Sequence, residues 1–170
     1  MEIEKRSIEI ISHQLSEIHI KLPADQEMIT KRVIHTSADF DYIQTLKYSK
    51  DAVAIAKRLI SEGADIVTDT NMALSGINKK YQAKFGGQAH CFMADDEVAL
   101  IAKEKKTTRA AVSMEFASRI DKPVIFAIGN APTALIELYD MIEKGIYKPA
   151  FVIGVPVGFF TAVFLSEVAG

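Results

Sequence analysis

The 170-residue chain has no tryptophan and one cysteine, and its 20 lysines and arginines are outnumbered by 22 aspartates and glutamates. One thiol cannot form an internal disulfide, and its apolar surroundings predict that Cys91 is buried and reduced. The formal net charge of -2 gives no overall basic footprint for nucleic acid. These absences argue against a disulfide-stapled secreted domain and against a nucleic-acid partner.

Long apolar runs are also missing. No window long enough to span a bilayer is free of charged residues, and residues 1–6 lack the apolar core of a signal peptide. We therefore expect a cytoplasmic protein without a membrane partner. The four histidines show no metal-ligand spacing with Cys91 or with carboxylates, so we expect no metal held by protein ligands.

Helical periodicity comes first along the chain, and a strand–helix alternation follows it. Apolar spacing predicts helices at 7–19, from Pro23 to about Thr36, and at 52–62. Beyond Gly63 the pattern predicts an α/β fold: a mainly parallel sheet flanked by helices, three-layered and Rossmann-like, with a helical N-terminal segment and a single domain over 1–170. The strands are expected at these segments: 65–68, 88–93, 124–129 and 149–154.

Residues 123–135 predict a buried strand, a tight turn and the start of a helix. The run 124–129 does not alternate, which is typical of a strand covered on both faces. Asn130 can cap the helix, and the N–H groups and amide around Gly129 and Asn130 would attract an anion. A second turn, with Pro156 and Gly158, follows the last strand, and two such turns at neighbouring strand ends would form a cleft.

Three side chains could carry chemistry. His35 lies near the carboxyl end of a predicted helix, where the dipole favours its protonated form; it is a proton donor or a surface histidine. Asp69 ends a strand and either holds a ligand or caps the following helix. Arg109, after Thr108 at a helix start, either pairs with a ligand carboxylate or is solvated. The pattern alone favours the structural alternative for each.

Together these stretches resemble the precorrin-8X methylmutases of cobalamin biosynthesis. The resemblance runs in order through 6–159, and its Ile-Gly-Asn-Ala-Pro-Thr-Ala-Leu and Pro-Val-Gly-Phe pieces are specific in combination. The matching segments are 32–35, 69–72 with 76–77, 108–111, 127–135, and 148–150 with 154–159.

The resemblance implies an isomerase that moves a methyl group from C11 to C12 of the precorrin-8 or cobalt-precorrin-8 ring, giving hydrogenobyrinate or cobyrinate. It places His35 at the family's active-site histidine and Arg109 at a substrate-contacting arginine. The substrate-binding residues expected from the motifs and the cleft are Arg109, Asp69, Thr108, Gly129, Asn130, Pro156 and Gly158. The resemblance also implies no external cofactor, a carboxylate-rich corrinoid substrate and a homodimer.

One departure from the family concerns the segment after Phe159. Family members continue well beyond this point, whereas residues 160–170 are strongly apolar and end the sequence. This predicts a chain truncated at its C-terminus relative to the family. The alternatives are a corrinoid-binding protein with little or no turnover, and an unrelated α/β protein that binds an anion or a nucleotide.

Overall fold

The computed structural model describes residues 2–155, which fall into two compact units that meet in sequence between Ala54 and Ile55. The first unit contains α1 (Glu2–Glu17), α2 (Glu27–Ser37) and the short α3 (Tyr42–Thr45). Two of these helices were predicted, with ends displaced by up to five residues. The short α3 was missed because four residues are too few to show a helical period. The prediction of one domain over 1–170 stays a prediction.

The helices of the first unit pack through a small apolar cluster. Ile11, Leu15 and Ile34 are buried, and Leu22 and Phe40 pack partly buried against them. Ile11 and Leu15 of α1 therefore face the core, whereas Ile18, just beyond the end of the helix, is 54% exposed. Each fully buried leucine or isoleucine contributes about 1.5–3 kcal/mol of transfer free energy, which holds α1 against α2.

The rest of the described chain alternates strands with helices, as predicted. In order, its elements are α4 (Ala52–Ser61), β1 (Asp65–Thr68), α5 (Asn71–Gly76), α6 (Lys79–Ala83), β2 (Ala89–His90), α7 (Asp96–Glu104), α8 (Arg109–Ala117), β3 (Val124–Ile128), α9 (Pro132–Glu143) and β4 (Phe151–Gly154). The α6 helix was missed, again because it is short.

The four strands form one parallel sheet in the order β2-β1-β3-β4. Phe126 of β3 belongs to a cluster with Met114 of α8 and Leu138 of α9. Its neighbour Ile125 belongs to a different cluster, with Leu59 of α4. Helices therefore cover both faces of β3, which explains why its sequence does not alternate. The α/β prediction is confirmed.

Three predicted strands are shorter than expected: β3 ends one residue early, at Ile128, and the differences in β2 and β4 are larger. β2 ends at His90, because Phe92 leaves the ladder, accepts a turn hydrogen bond from Asp95 N (3.1 Å) and packs into the core. β4 begins at Phe151 and omits Pro149, whose missing N–H cannot join a ladder. In both strands, hydrogen bonding between neighbouring strands sets the ends, and an apolar run in the sequence does not show where that hydrogen bonding stops.

Gly63 ends the turn that follows α4. Its φ of +83° is a left-handed conformation that side chains disfavour, and a Cβ there would lie 2.5 Å from the carbonyl oxygen of Phe85. Both the conformation and the close approach require glycine. The following residue, Ala64, then leads directly into β1.

Candidate active site

The carboxyl ends of β1 and β3 are joined by one buried carboxylate. Asp69, directly after β1, is 0% exposed. Its Oδ1 accepts a hydrogen bond from Gly129 N at 3.2 Å, and its Oδ2 accepts from Asn130 N and Ala131 N, both at 2.6 Å. The expectation of free N–H groups in this turn is therefore wrong, because the chain's own carboxylate occupies them.

Asp69 caps the amino end of α9 from about 60 residues away in sequence. Ala131 is the N-cap residue of α9 and makes no side-chain hydrogen bond, so the predicted cap by Asn130 is wrong. A carboxylate at a helix amino terminus is favoured by the helix dipole. The helix that follows Asp69, α5, is capped instead by Thr70, whose Oγ1 accepts from Ala73 N at 3.1 Å.

The amino ends of α8 and α9 meet beside this turn. Thr108 Oγ1 caps α8 by accepting from Ala111 N at 3.2 Å and donates to Thr133 Oγ1 at 2.8 Å. Arg109 follows as the first residue of α8 and is exposed. Within residues 2–155, no carboxylate lies within ion-pair distance of its guanidinium. The structure thus places an accessible cation beside the paired helix ends.

The end of β4 approaches the same turn. Val155 N donates to the carbonyl oxygen of Ile128 at 3.0 Å, and a Cβ at Gly129 would lie 3.1 Å from Val155 Cγ2. Glycine at 129 therefore lets the two strand ends lie close together. The predicted substrate contacts Pro156 and Gly158 lie outside the described residues.

His35 belongs to the first compact unit, in the last turn of α2. Its side chain is exposed, and its Nδ1 lies 2.7 Å from Ser7 Oγ on α1. One turn earlier on α2, Arg32 pairs with Glu4 of α1 at 2.9 Å. The Ser7 contact was not found from the sequence because 28 residues separate the partners.

A cavity of about 350 Å³ also lies in the first unit, but none of the predicted site residues lines it. Its polar lining includes Lys31 and Glu27, which pair with each other at 2.5 Å. Between residues 2 and 155 the structure contains no group of three or more histidine, cysteine or acidic side chains placed to hold a metal ion. Cys91 is a free thiol and only half-buried, so its predicted full burial is wrong.

One polar cluster at the start of β1 went unpredicted. Asp65 is buried, pairs with His90 Nε2 at 2.8 Å, and accepts a hydrogen bond from Gln88 N at 2.8 Å. Parallel pairing of β1 with β2 brings these partners together, and nothing in their spacing signals it. The imidazole of His90 is therefore the hydrogen-bond partner of a buried carboxylate, which is a structural role.

Comparison with known proteins decides the family. The family model described as precorrin-8X methylmutase matches residues 2–167. The chain belongs to the precorrin-8X methylmutase family. Members of this family are isomerases of precorrin-8 in cobalamin biosynthesis, so the resemblance carried by the motifs is confirmed.

Individual methylmutases support the assignment along most of the chain. The cobalt-precorrin-8 methylmutase of Priestia megaterium is 41% identical over 166 residues, covering 98% of this chain and 73% of that protein. That of Salmonella typhimurium is 42% identical over 142 residues, covering 83% of this chain and 66% of its own. The precorrin-8x methyl mutase structure from Thermus thermophilus superposes with a TM-score of 0.80 at 32% identity, covering 97% of this chain and 79% of that one.

No described helix is long and apolar enough to cross a membrane.

Proposed function

We propose that this chain moves a methyl group from C11 to C12 of precorrin-8 or cobalt-precorrin-8, giving hydrogenobyrinate or cobyrinate. The observation that carries the proposal is the match to named cobalt-precorrin-8 methylmutases over nearly the whole chain. The substrate of this proposal is a carboxylate-fringed corrinoid, and any cobalt belongs to the ring.

His35 is the proposed catalytic residue. It is exposed at the carboxyl end of α2, and its Nδ1 is already engaged by Ser7. Proton donation from Nε2 to the conjugated ring would withdraw electron density and lower the barrier to migration. General acid catalysis of this kind typically contributes about 10²–10⁴-fold.

Arg109 is the proposed anchor for a substrate carboxylate. Its guanidinium is exposed and, within residues 2–155, has no carboxylate partner, so a bidentate contact is available to a ligand. We propose that Thr108 and the exposed Gly129 and Asn130 lie along the same substrate edge, with Pro156 and Gly158 beyond them.

In this proposal Asp69 has a structural role and does not bind the substrate directly. Its side chain is fully buried, and three backbone N–H groups occupy its oxygens. We therefore propose that Asp69 positions the turn that carries Gly129 and Asn130. A direct substrate contact by Asp69 was the sequence-based prediction, and it remains untested.

The proposal also covers the location, the oligomeric state and the cofactor requirement of the enzyme. It acts in the cytoplasm as a homodimer and needs no external cofactor, since the reaction is an intramolecular rearrangement. Family resemblance supports these three statements. Analytical ultracentrifugation of the purified chain tests the dimer.

The experiment that tests the function is conversion of purified precorrin-8 and cobalt-precorrin-8, followed by absorption spectroscopy and mass spectrometry. We expect a product of unchanged mass with an altered spectrum. His35→Ala should lower kcat by about 10²–10⁴-fold and leave corrinoid affinity nearly unchanged, because many contacts hold the ring. Turnover by this variant at the parent rate would disprove the acid role.

His13→Ala is the matched control. His13 is an exposed histidine on α1 that pairs with Glu17 at 3.6 Å. The control should therefore keep the parent kcat. Tight corrinoid binding by the parent chain without any conversion would instead support the alternative of a binding protein.

A further inference from the structure

We propose that Ser7 is the positioning residue for His35, and that its hydroxyl selects which ring nitrogen faces the substrate. This inference rests on the proposed function of His35. The observation behind it is the 2.7 Å contact between Ser7 Oγ and His35 Nδ1, which links α1 to α2 within the first unit.

The contact with Ser7 restricts both the position and the orientation of the His35 imidazole ring. A histidine in a helix can rotate about its side-chain bonds, and a fixed partner on a neighbouring helix restricts that rotation. α1 is itself fixed, because Ile11 and Leu15 are buried against Ile34, the residue before His35. Ser7 therefore offers a hydrogen-bond partner at a defined position.

The same contact determines how the proton is handled. In the imidazolium both ring nitrogens carry protons, so Nδ1–H donates to Ser7 Oγ and Nε2–H is left for the corrinoid. When Nε2 gives up its proton, the Nδ1–H···Oγ hydrogen bond persists without any movement of the hydroxyl. The neutral ring that remains after the transfer is the Nδ1–H tautomer, with Nε2 ready to accept the proton back.

Other charged groups lie near this pair. Glu4 and Arg32 form an ion pair between the same two helices, and Lys31 precedes His35 by one helical turn on α2. The charged groups of Glu4 and Arg32 are engaged with each other. Among the described residues, Ser7 is the group that contacts Nδ1 and not Nε2.

The test combines ring-nitrogen NMR with kinetics on the full chain. Two-bond ¹H–¹⁵N spectra of the protein without substrate, recorded at a pH high enough that the ring is neutral, report the tautomer that His35 adopts once it has lost a proton. We expect mainly Nδ1–H in the parent and a shift toward Nε2–H in Ser7→Ala. Because a displacement of about 1 Å can cost ~100-fold in rate, Ser7→Ala should lower kcat by about 10- to 100-fold with KM close to the parent value.

Two further variants make the test specific. Ser7→Thr retains the hydroxyl and should restore both the tautomer and most of kcat. Ser12→Ala removes another hydroxyl from α1. Within the part of the chain that the structure describes, this hydroxyl donates only to the Ile8 carbonyl oxygen, at 2.6 Å, so the variant should change neither the tautomer nor kcat.

The outcomes separate this inference from the proposed function. An unchanged tautomer and kcat in Ser7→Ala, beside an inactive His35→Ala, would overturn the role of Ser7 alone. A lowered kcat with an unchanged tautomer would also overturn it, since Ser7 would then act by another route. If His35→Ala were fully active, the acid role would fail, while the NMR shift would still decide whether Ser7 sets the tautomer.

Discussion

His35 and Asp69 are both polar side chains held by hydrogen bonds at a helix end, but their surroundings differ in every other respect. His35 is exposed at the carboxyl end of α2 and has one described partner, Ser7. Asp69 is fully buried at the amino end of α9, and three backbone N–H groups occupy its two oxygens.

This difference predicts a structural role for Asp69 and a chemical role for His35. A buried group whose hydrogen bonds are all made within the protein stabilises a conformation, and removing it leaves its partners unsatisfied. An exposed imidazole with a free nitrogen can exchange a proton with a ligand. Loss of Asp69 should therefore damage folding first, and loss of His35 should damage only turnover.

The largest stability effect is expected for Asp69→Ala. The variant leaves the N–H groups of Gly129, Asn130 and Ala131 without their acceptor and removes a charge that the α9 dipole favours. We expect the free energy of unfolding to fall by about 3–5 kcal/mol, measured by urea denaturation.

Two controls sharpen this prediction. Asp69→Asn keeps one acceptor oxygen and should lose about half as much. Asp39→Ala removes an exposed carboxylate that also accepts a backbone N–H, from Asp41 at 2.8 Å, and should cost under about 1 kcal/mol because water replaces the acceptor. Equal losses for Asp69→Ala and Asp39→Ala would show that burial is not the deciding factor.

A smaller effect, on binding alone, is expected for Arg109→Ala. Arg109 is exposed beside the buried turn, so its removal should leave the unfolding midpoint nearly unchanged while it weakens corrinoid binding by about tenfold, the value of one charge-assisted contact. Titration of corrinoid absorbance measures the affinity. Lys103→Ala, an exposed cation on α7, is the control, and equal affinities in all three proteins would place Arg109 outside the binding site.

The smallest effect concerns Glu137 on α9, which lies between the two extremes of exposure. Partial burial, then the charges of Glu115 and Asp140, raise the pKa of Glu137 above its ordinary value. The unfolded chain therefore releases this proton at lower pH than the folded chain. Folded stability falls as pH rises from the unfolded pKa through the folded one, and stays lower above it.

Glu137→Gln should consequently stabilise the protein at pH 7 by a few tenths of a kcal/mol, because solvent screens a partly exposed charge. The gain should disappear below about pH 4, where the unfolded carboxyl also keeps its proton. Thermal melts at both pH values measure it, with Glu143→Gln on the exposed side of the same helix as control. A gain that persists at low pH would assign the effect to packing.

Local sequence signals predicted the parts of the fold that are local in origin. Thr108 lies at the predicted helix start and caps α8, as short polar residues before helices usually do. β1 was predicted with its observed ends, since Gly63 and Asp69 punctuate a short apolar run. Asn130 shows where local signals fail. Asparagine is a favourable N-cap residue, but the N–H groups at this helix end already donate to Asp69.

For the candidate site, sequence identified the residues but not their partners. His35, Asp69 and Arg109 were all selected, and family motifs supplied the reaction. The Ser7 contact, the Asp69 turn and the Asp65–His90 pair each join residues 25 or more positions apart. No periodicity or spacing rule reaches across such separations.

The sequence by itself determined the α/β class, the strand–helix order and the family, because these follow from local periodicity, turn chemistry and short motifs. Only the tertiary structure decided which polar groups are buried. Parallel pairing of β1 with β3 brings Asp69 to the amino end of α9 and there converts a possible ligand-binding carboxylate into the support of a turn. The N–H groups predicted to bind an external anion are therefore already bound by the carboxylate of Asp69.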